Sequence, residues 1–178
     1  MKKIISLVMT SLLLLGLCAC GDDPALVGTA QNNNGSADES TDSSTSRTFK
    51  RGDSVELNDV VVSFLSANES TGSDYNTPTD GNVFILCEFE ITNNSTKELS
   101  VSSMLNFEAY CDDYACEYSL GALMEKGSKD QLDGTVAAGK KMKGVIGYEI
   151  PADWEELEIH YTLDAFSDDK IVFVATNS

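Results

Sequence analysis

Few side chains in this 178-residue sequence can do chemistry: Cys87, Cys111, Cys116, the lone histidine His160 and several groups of carboxylates. Cys111 and Cys116 enclose Asp-Asp-Tyr-Ala, which reads as two strand ends closed by a four-residue hairpin loop. Cysteines facing across an antiparallel pair come close enough for a disulfide. A loop this small would gain about 2 kcal/mol from the lost chain entropy. Redox-active pairs favour Cys-x-x-Cys at a helix start instead, and two thiols with one histidine fall short of the four ligands of zinc. Cys111 and Cys116 are therefore the candidate disulfide. Cys87 lies in phase with Val83, Ile85, Phe89 and Ile91 and reads as a small core hydrophobe.

His160 alternates with Leu157, Ile159 and Tyr161, which puts it on a solvated polar face beside Glu158. No nucleophile elbow accompanies it. Acids cluster at 74–80, 112–113, 130–133, 153–156 and 168–169. Loops at one end of a sandwich could gather Asp112, Asp113, Asp130 and Asp133 into a calcium site, which needs six or more oxygens, although none matches the spaced pattern of a calcium loop. A hydrolase would need two carboxylates at fixed separation, drawn from Asp112, Asp113, Glu155 and Glu156. The same acids also serve as solvated loop charges. Calcium is the one cofactor these residues allow.

The first cysteines carry a different chemistry. Lys2 and Lys3 precede an apolar run from Ile4 to Leu17, the order of a secretory signal, and the run is too short to span a bilayer comfortably. It ends in Leu17-Cys18-Ala19-Cys20-Gly21-Asp22. This resembles the lipobox of bacterial lipoproteins, with a leucine three residues before the modified cysteine and a small residue directly before it. The resemblance implies a signal peptide over residues 1–19. It also implies that Cys20 receives a diacylglyceryl thioether, carries fatty acids such as palmitate and becomes the mature N-terminus. Two acyl chains make a stable anchor, since each buried methylene adds about 0.8 kcal/mol. The implied location is the outer face of the cell membrane, in a Gram-positive organism.

Losing Lys2 and Lys3 from the 12 basic residues while keeping all 29 acids takes the net charge from −17 to −19. Such a field repels phosphate backbones and anionic headgroups, so nucleic acid is excluded as a partner and the lipid is the membrane contact. Residues 20–47 are rich in Asn, Ser, Thr, Asp and Gly, too polar to repay their ordering entropy. They read as a disordered linker spanning roughly 30 Å.

Thr48 to Ser178 must position the remaining groups as one domain, and its apolar residues recur with period two. Val60, Val62 and Phe64 share a face. Val83 to Ile91 form a central strand with Phe84 and Leu86 covered on its far side. Leu99, Val101, Leu105, Phe107, Ala109 and Cys111 all fall on odd positions, and Leu120 to Lys126 read as a helical turn. Met142 to Ile150, Leu157 to Tyr161 and Ile171 to Ala175 complete the set. About seven short strands with turn punctuation predict an all-β antiparallel sandwich.

Three stretches carry a family resemblance: Arg51-Gly52-Asp53-Ser54-Val55-Glu56-Leu57-Asn58, the strand from Val83 ending in Thr92-Asn93, and Ala138-Gly139-Lys140 through Gly147-Tyr148-Glu149-Ile150-Pro151. Together they resemble the bacterial domain of unknown function numbered 4352, which is similar to the mycobacterial immunoprotective extracellular antigen. The resemblance implies an immunoglobulin-like sandwich and transfers no catalytic residues, and the Cys111/Cys116 pair is not part of its pattern. The expectation is a non-enzymatic binding or interaction module in the cell envelope that contacts another envelope protein or a wall component. A calcium-responsive module and a carboxylate hydrolase are the alternatives.

Overall fold

The computed structural model describes residues 23–29, 47–125, 130–163 and 169–177. The signal sequence, Cys20, most of the linker, Lys126 and Asp168 lie outside the described residues. The elements run β1 (Ala25–Thr29), β2 (Thr48–Lys50), β3 (Asp53–Leu57), β4 (Val60–Ser70), β5 (Asn82–Asn93), β6 (Leu99–Val101), β7 (Phe107–Cys111) and β8 (Tyr114–Cys116). After these come α1 (Leu120–Met124), β9 (Gly134–Val136), β10 (Lys141–Pro151), β11 (Glu156–Thr162) and β12 (Lys170–Thr176).

Two five-stranded sheets, ordered β1-β3-β4-β5-β10 and β2-β12-β11-β7-β8, face each other, with β6-β9 as a small third sheet. This is the expected immunoglobulin-like sandwich. Its strand count exceeds the sequence reading because β1, β2, β6, β8 and β9 are only three to five residues long, too short for a period of two to register. One pair, β2 with β12, is parallel rather than antiparallel.

The core is aromatic where the sheets meet. Phe64 and Phe89 stack at 4.8 Å on one sheet, and Phe173 meets their edges at 5.8 and 5.7 Å from the other. Phe107 extends the cluster, 5.2 Å from Phe89 and 4.9 Å from Tyr161. Edge-to-face and offset pairs of this kind add to the gain from burial alone. Phe84 and Leu86 are buried on the far side of β5, as their sequence pattern predicts. Leu86 packs with Leu123 of α1 and Val145 of β10. Gly147 permits this cover: a Cβ there would lie 2.7 Å from that of Ala122.

Two expectations fail for local reasons. Leu105 does not continue the odd-numbered face, because residues 102–105 form a turn between β6 and β7 that leaves its side chain 71% exposed. The linker is not wholly unstructured, since Ala25–Thr29 pair antiparallel with β3. A free β3 edge would present unpaired N–H and C=O groups; β1 satisfies them while its side chains stay largely outside.

The stretches that carry the family resemblance sit in turns and their braces. Asn58 and Asp59 have φ of 51° and 61° and form the tight β3–β4 turn. The amide of Asn94 donates to the Asp59 carbonyl at 2.8 Å. Asn93 is fully buried, and its Nδ2 donates to the carbonyls of Lys97 (2.7 Å) and Val136 (2.9 Å). Its Oδ1 accepts from the amide (3.0 Å) and hydroxyl (2.7 Å) of Ser95. Lys140 and Gly139 close onto its backbone at 2.9 and 2.7 Å. One side chain therefore ties three connections together.

Candidate functional site

Strands β8 and β10 are the last strands of their respective sheets, and a cleft of about 620 Å³ opens between them. Tyr114, Ala115 and Glu117 form one wall, with Glu149, Ile150 and Pro151 opposite. Asp153 and Glu155 stand at one end on the turn that leads into β11. A second chamber of about 310 Å³ shares Ala115 and Cys116 with the first and is lined further by Phe107, Tyr118 and Tyr148.

The β7–β8 hairpin owes its shape to Asp112 and Asp113, whose φ values of 48° and 70° make a two-residue type I′ turn that matches strand twist. The turn sets Cys111 opposite Tyr114 and Cys116 opposite Ala109. The two cysteines thus lie diagonally across the ladder rather than face to face. Their side chains nevertheless meet, as thiols hydrogen-bonded to each other. Both are free thiols, as is Cys87, so the expected staple is not formed. The loop has two residues rather than four.

The thiols are also poor nucleophiles. Burial pushes Cys111 up to about 12, with Cys116 and Asp112 adding to the rise, and burial pushes Cys116 up to about 11. Cys87, wholly inside, is raised further still by burial. All three are protonated at neutral pH, and reactivity belongs to the thiolate.

The register also fixes the edge. Cys111 and Tyr114 flank the turn and exchange both hydrogen bonds, so Ala115 directs its N–H and C=O away from β7 and into the cleft. Among the described residues no strand pairs with that side of β8.

The walls are held by carboxylates used as backbone acceptors. Asp112 accepts from the amides of Glu155 (3.1 and 3.2 Å to its two oxygens) and Glu156 (2.8 Å), joining the hairpin to the 151–155 turn. Buried Trp154 anchors that turn, its indole N–H donating to Glu69 at 2.6 Å. Glu149 accepts from the Thr79 amide at 2.8 Å and from Asn82 Nδ2 at 3.0 Å, and these bonds hold its carboxyl below the usual carboxylate range. Glu117, Asp153 and Glu155 expose their side chains on the rim. Among the described residues, no Lys, Arg or His lines the cleft.

Deeper in, Tyr148 is buried, and among the described residues its hydroxyl has no hydrogen-bond partner, as is also the case for Tyr161 in the core. Burial pushes both phenols upward. An orphaned buried donor costs about 1–3 kcal/mol, and of the two only the Tyr148 hydroxyl lies beside the cleft, where an acceptor could reach it. Tyr118, on the same wall, has Ser103 as a hydrogen-bond partner. Sequence periodicity placed Tyr148 on the core face but gave no sign that its hydroxyl would lack a partner.

The four aspartates considered for calcium are not gathered. Asp112 and Asp113 sit on the hairpin turn. Asp130 borders a separate depression with Lys143 and Glu88. Asp133 accepts from the Ser103 amide and hydroxyl at 3.0 and 2.6 Å. Among the described residues, no group of three or more His, Cys, Asp or Glu side chains is arranged to hold a metal. Of the four hydrolase candidates, Asp112 does meet Glu155 and Glu156, but through their amides. His160 lies beside Glu158 at 2.9 Å as expected. Its side chain is only 11% exposed rather than solvated, with the Tyr110 ring at 5.1 Å and Lys170 donating to Nδ1 at 3.5 Å.

A family model described as a domain of unknown function (DUF4352) matches residues 49–171. No curated protein matches the sequence. Among solved structures the chain is similar to YcdA of Bacillus subtilis, described as a candidate lipoprotein, with a TM-score of 0.56 and 17% identity. That match covers 66% of this chain and 36% of YcdA, so the shared fold is about a third of that protein. YjhA of Bacillus subtilis gives a TM-score of 0.55 at 19% identity over 70% of this chain and 97% of its own. An uncharacterized β-sandwich protein of Clostridium difficile gives 0.51 at 14% over 78% and 100%. At these identities the likeness is one of fold.

Proposed function

The chain belongs to the DUF4352 family, and we propose that it is a lipid-anchored envelope protein whose sandwich binds a partner in the cleft between β8 and β10. The observation that carries this reading is a concave surface with fixed walls, beside a strand edge and a buried Tyr148 hydroxyl that have no partner among the described residues. Concave sites with a few placed polar groups are where ligands bind. The thiols are protonated, and His160 is engaged by Glu158 and Lys170, so the observed groups favour binding over turnover.

The anchor reading rests on Cys20 and gains from β1. With β1 docked on β3, only four residues, Gly21 to Pro24, separate Cys20 from the sheet, at most about 17 Å of chain. β1 and β10 are opposite edges of one sheet, about 19 Å apart across four strand spacings. A domain held at its β1 edge carries the cleft at the opposite edge of that sheet from the anchor.

Two measurements test the reading. Cys20→Ser should move the chain from the membrane fraction to the soluble fraction; continued membrane retention would remove the anchor. Thermal unfolding of the full chain with soluble wall fragments or purified envelope proteins should show a shift of several degrees for a true partner, since saturation at a hundred times Kd adds about 2.7 kcal/mol. Unchanged unfolding across both sets would remove the binding role.

A further inference from the structure

Resting on the binding reading above, we infer that the occupant of the cleft is an extended, lysine- or arginine-rich peptide segment that adds a strand to the free edge of β8. Three observations converge on it. Among the described residues no strand pairs with the Ala115 N–H and C=O, which face the cleft, and an unpaired edge is a template for an added chain, which gains its affinity from main-chain hydrogen bonds. The rim carries Glu117, Asp153 and Glu155, and among the described residues no cationic side chain lines the cleft, which sets the charge of the occupant. The Tyr148 ring lines the second chamber and its buried hydroxyl has no partner among the described residues, so a side chain or carbonyl that reaches inward meets an available donor.

The apolar parts of the cleft fit the same occupant. In an extended segment alternate side chains point to opposite sides. One set would lie along the acidic rim, where the 79% exposed ring of Tyr114 offers a face to a passing cation. The other set would pack toward Ile150 and Pro151. The walls are already cross-linked through Asp112 and Trp154, so binding orders the peptide and leaves the protein as it is.

The test uses the full chain and synthetic peptides, read by the NMR amide shift of Ala115 and by titration calorimetry. A peptide of alternating Lys and Val should bind, lose affinity with added salt, and shift the Ala115 amide. Neutralising the rim with Glu117→Gln, Asp153→Asn and Glu155→Gln together should weaken it by about tenfold. A version of the peptide N-methylated at alternate residues, which keeps the charge and loses the strand donors, should fail to bind; equal binding would overturn strand addition. Ala115→Pro, a change that an edge position tolerates, should give the same loss from the protein side. Equal binding of an alternating Glu and Val peptide would overturn the charge assignment. If no cationic peptide binds while soluble wall fragments still shift Ala115, this inference falls and the binding reading stands; if neither moves it, both fall.

Discussion

The end of the sandwich braced by Asn93 and the side opened between β8 and β10 handle backbone polarity in opposite ways. At the first, one buried amide satisfies the connections after β5 and before β10, and the chain closes on its backbone from both directions. At the second, strand edges stop short, and among the described residues the buried Tyr148 hydroxyl has no partner and the acids on the rim face no base. Both are built on two-residue turns with positive φ, Asn58-Asp59 and Asp112-Asp113, so the difference lies in what the surrounding chain supplies. The stretches that carry the family resemblance serve both places: Asn58, Asn93 and Gly139 the closed end, and Tyr148 to Pro151 one wall of the open side.

The largest effect that would break this contrast is at the closed end. Asn93→Leu leaves two carbonyls and the Ser95 donors without their partner, and should cost about 3 kcal/mol, lowering Tm by roughly 10 °C. A loss under about 1 kcal/mol in denaturant titration would show that Asn93 is not the brace described. Next comes Gly147→Val, which forces α1 off β10; overpacking of this kind costs about 1–3 kcal/mol. Its far-UV spectrum should stay that of a β-protein while Tm falls by several degrees.

At the open side the sign should reverse. Tyr148→Phe removes an orphaned hydroxyl and should leave stability unchanged or raise it by about 1 kcal/mol; a clear loss of Tm would mean that the hydroxyl has a partner, most simply an ordered water. Glu149 gives a pH signature. Its folded-state pKa is depressed by Thr79 and Asn82, so its contribution is present above the unfolded value and is lost as pH falls through the folded one. The Tm gap between the wild type and Glu149→Gln should therefore close as pH falls below the ordinary carboxylate range, and a gap independent of pH would refute the hydrogen-bond account. The smallest effect belongs to the rim: neutralising Glu117, Asp153 and Glu155 should change stability by no more than about 0.5 kcal/mol while weakening peptide binding by about tenfold and flattening its salt dependence.

Sequence alone determined the class of fold, the two-sided burial of Phe84 and Leu86 and the helical turn at Leu120, because periodicity of two and a short run of cover are local properties that follow from which faces meet water. The ordered local signals around Cys20 on which the proposed anchor rests are legible there too. Only the tertiary structure decided the rest. The register of β7 on β8 made Cys111 and Cys116 diagonal neighbours rather than a bridge, since a slip of one or two residues along a ladder leaves the apolar pattern readable and changes every partner. The docking of Ala25–Thr29 on β3 came from backbone hydrogen bonds that side-chain composition does not report. The cleft itself arises because β8 and β10, distant in sequence, both end their sheets on one side, and which groups an edge leaves unpaired is decided by the strands that are not there.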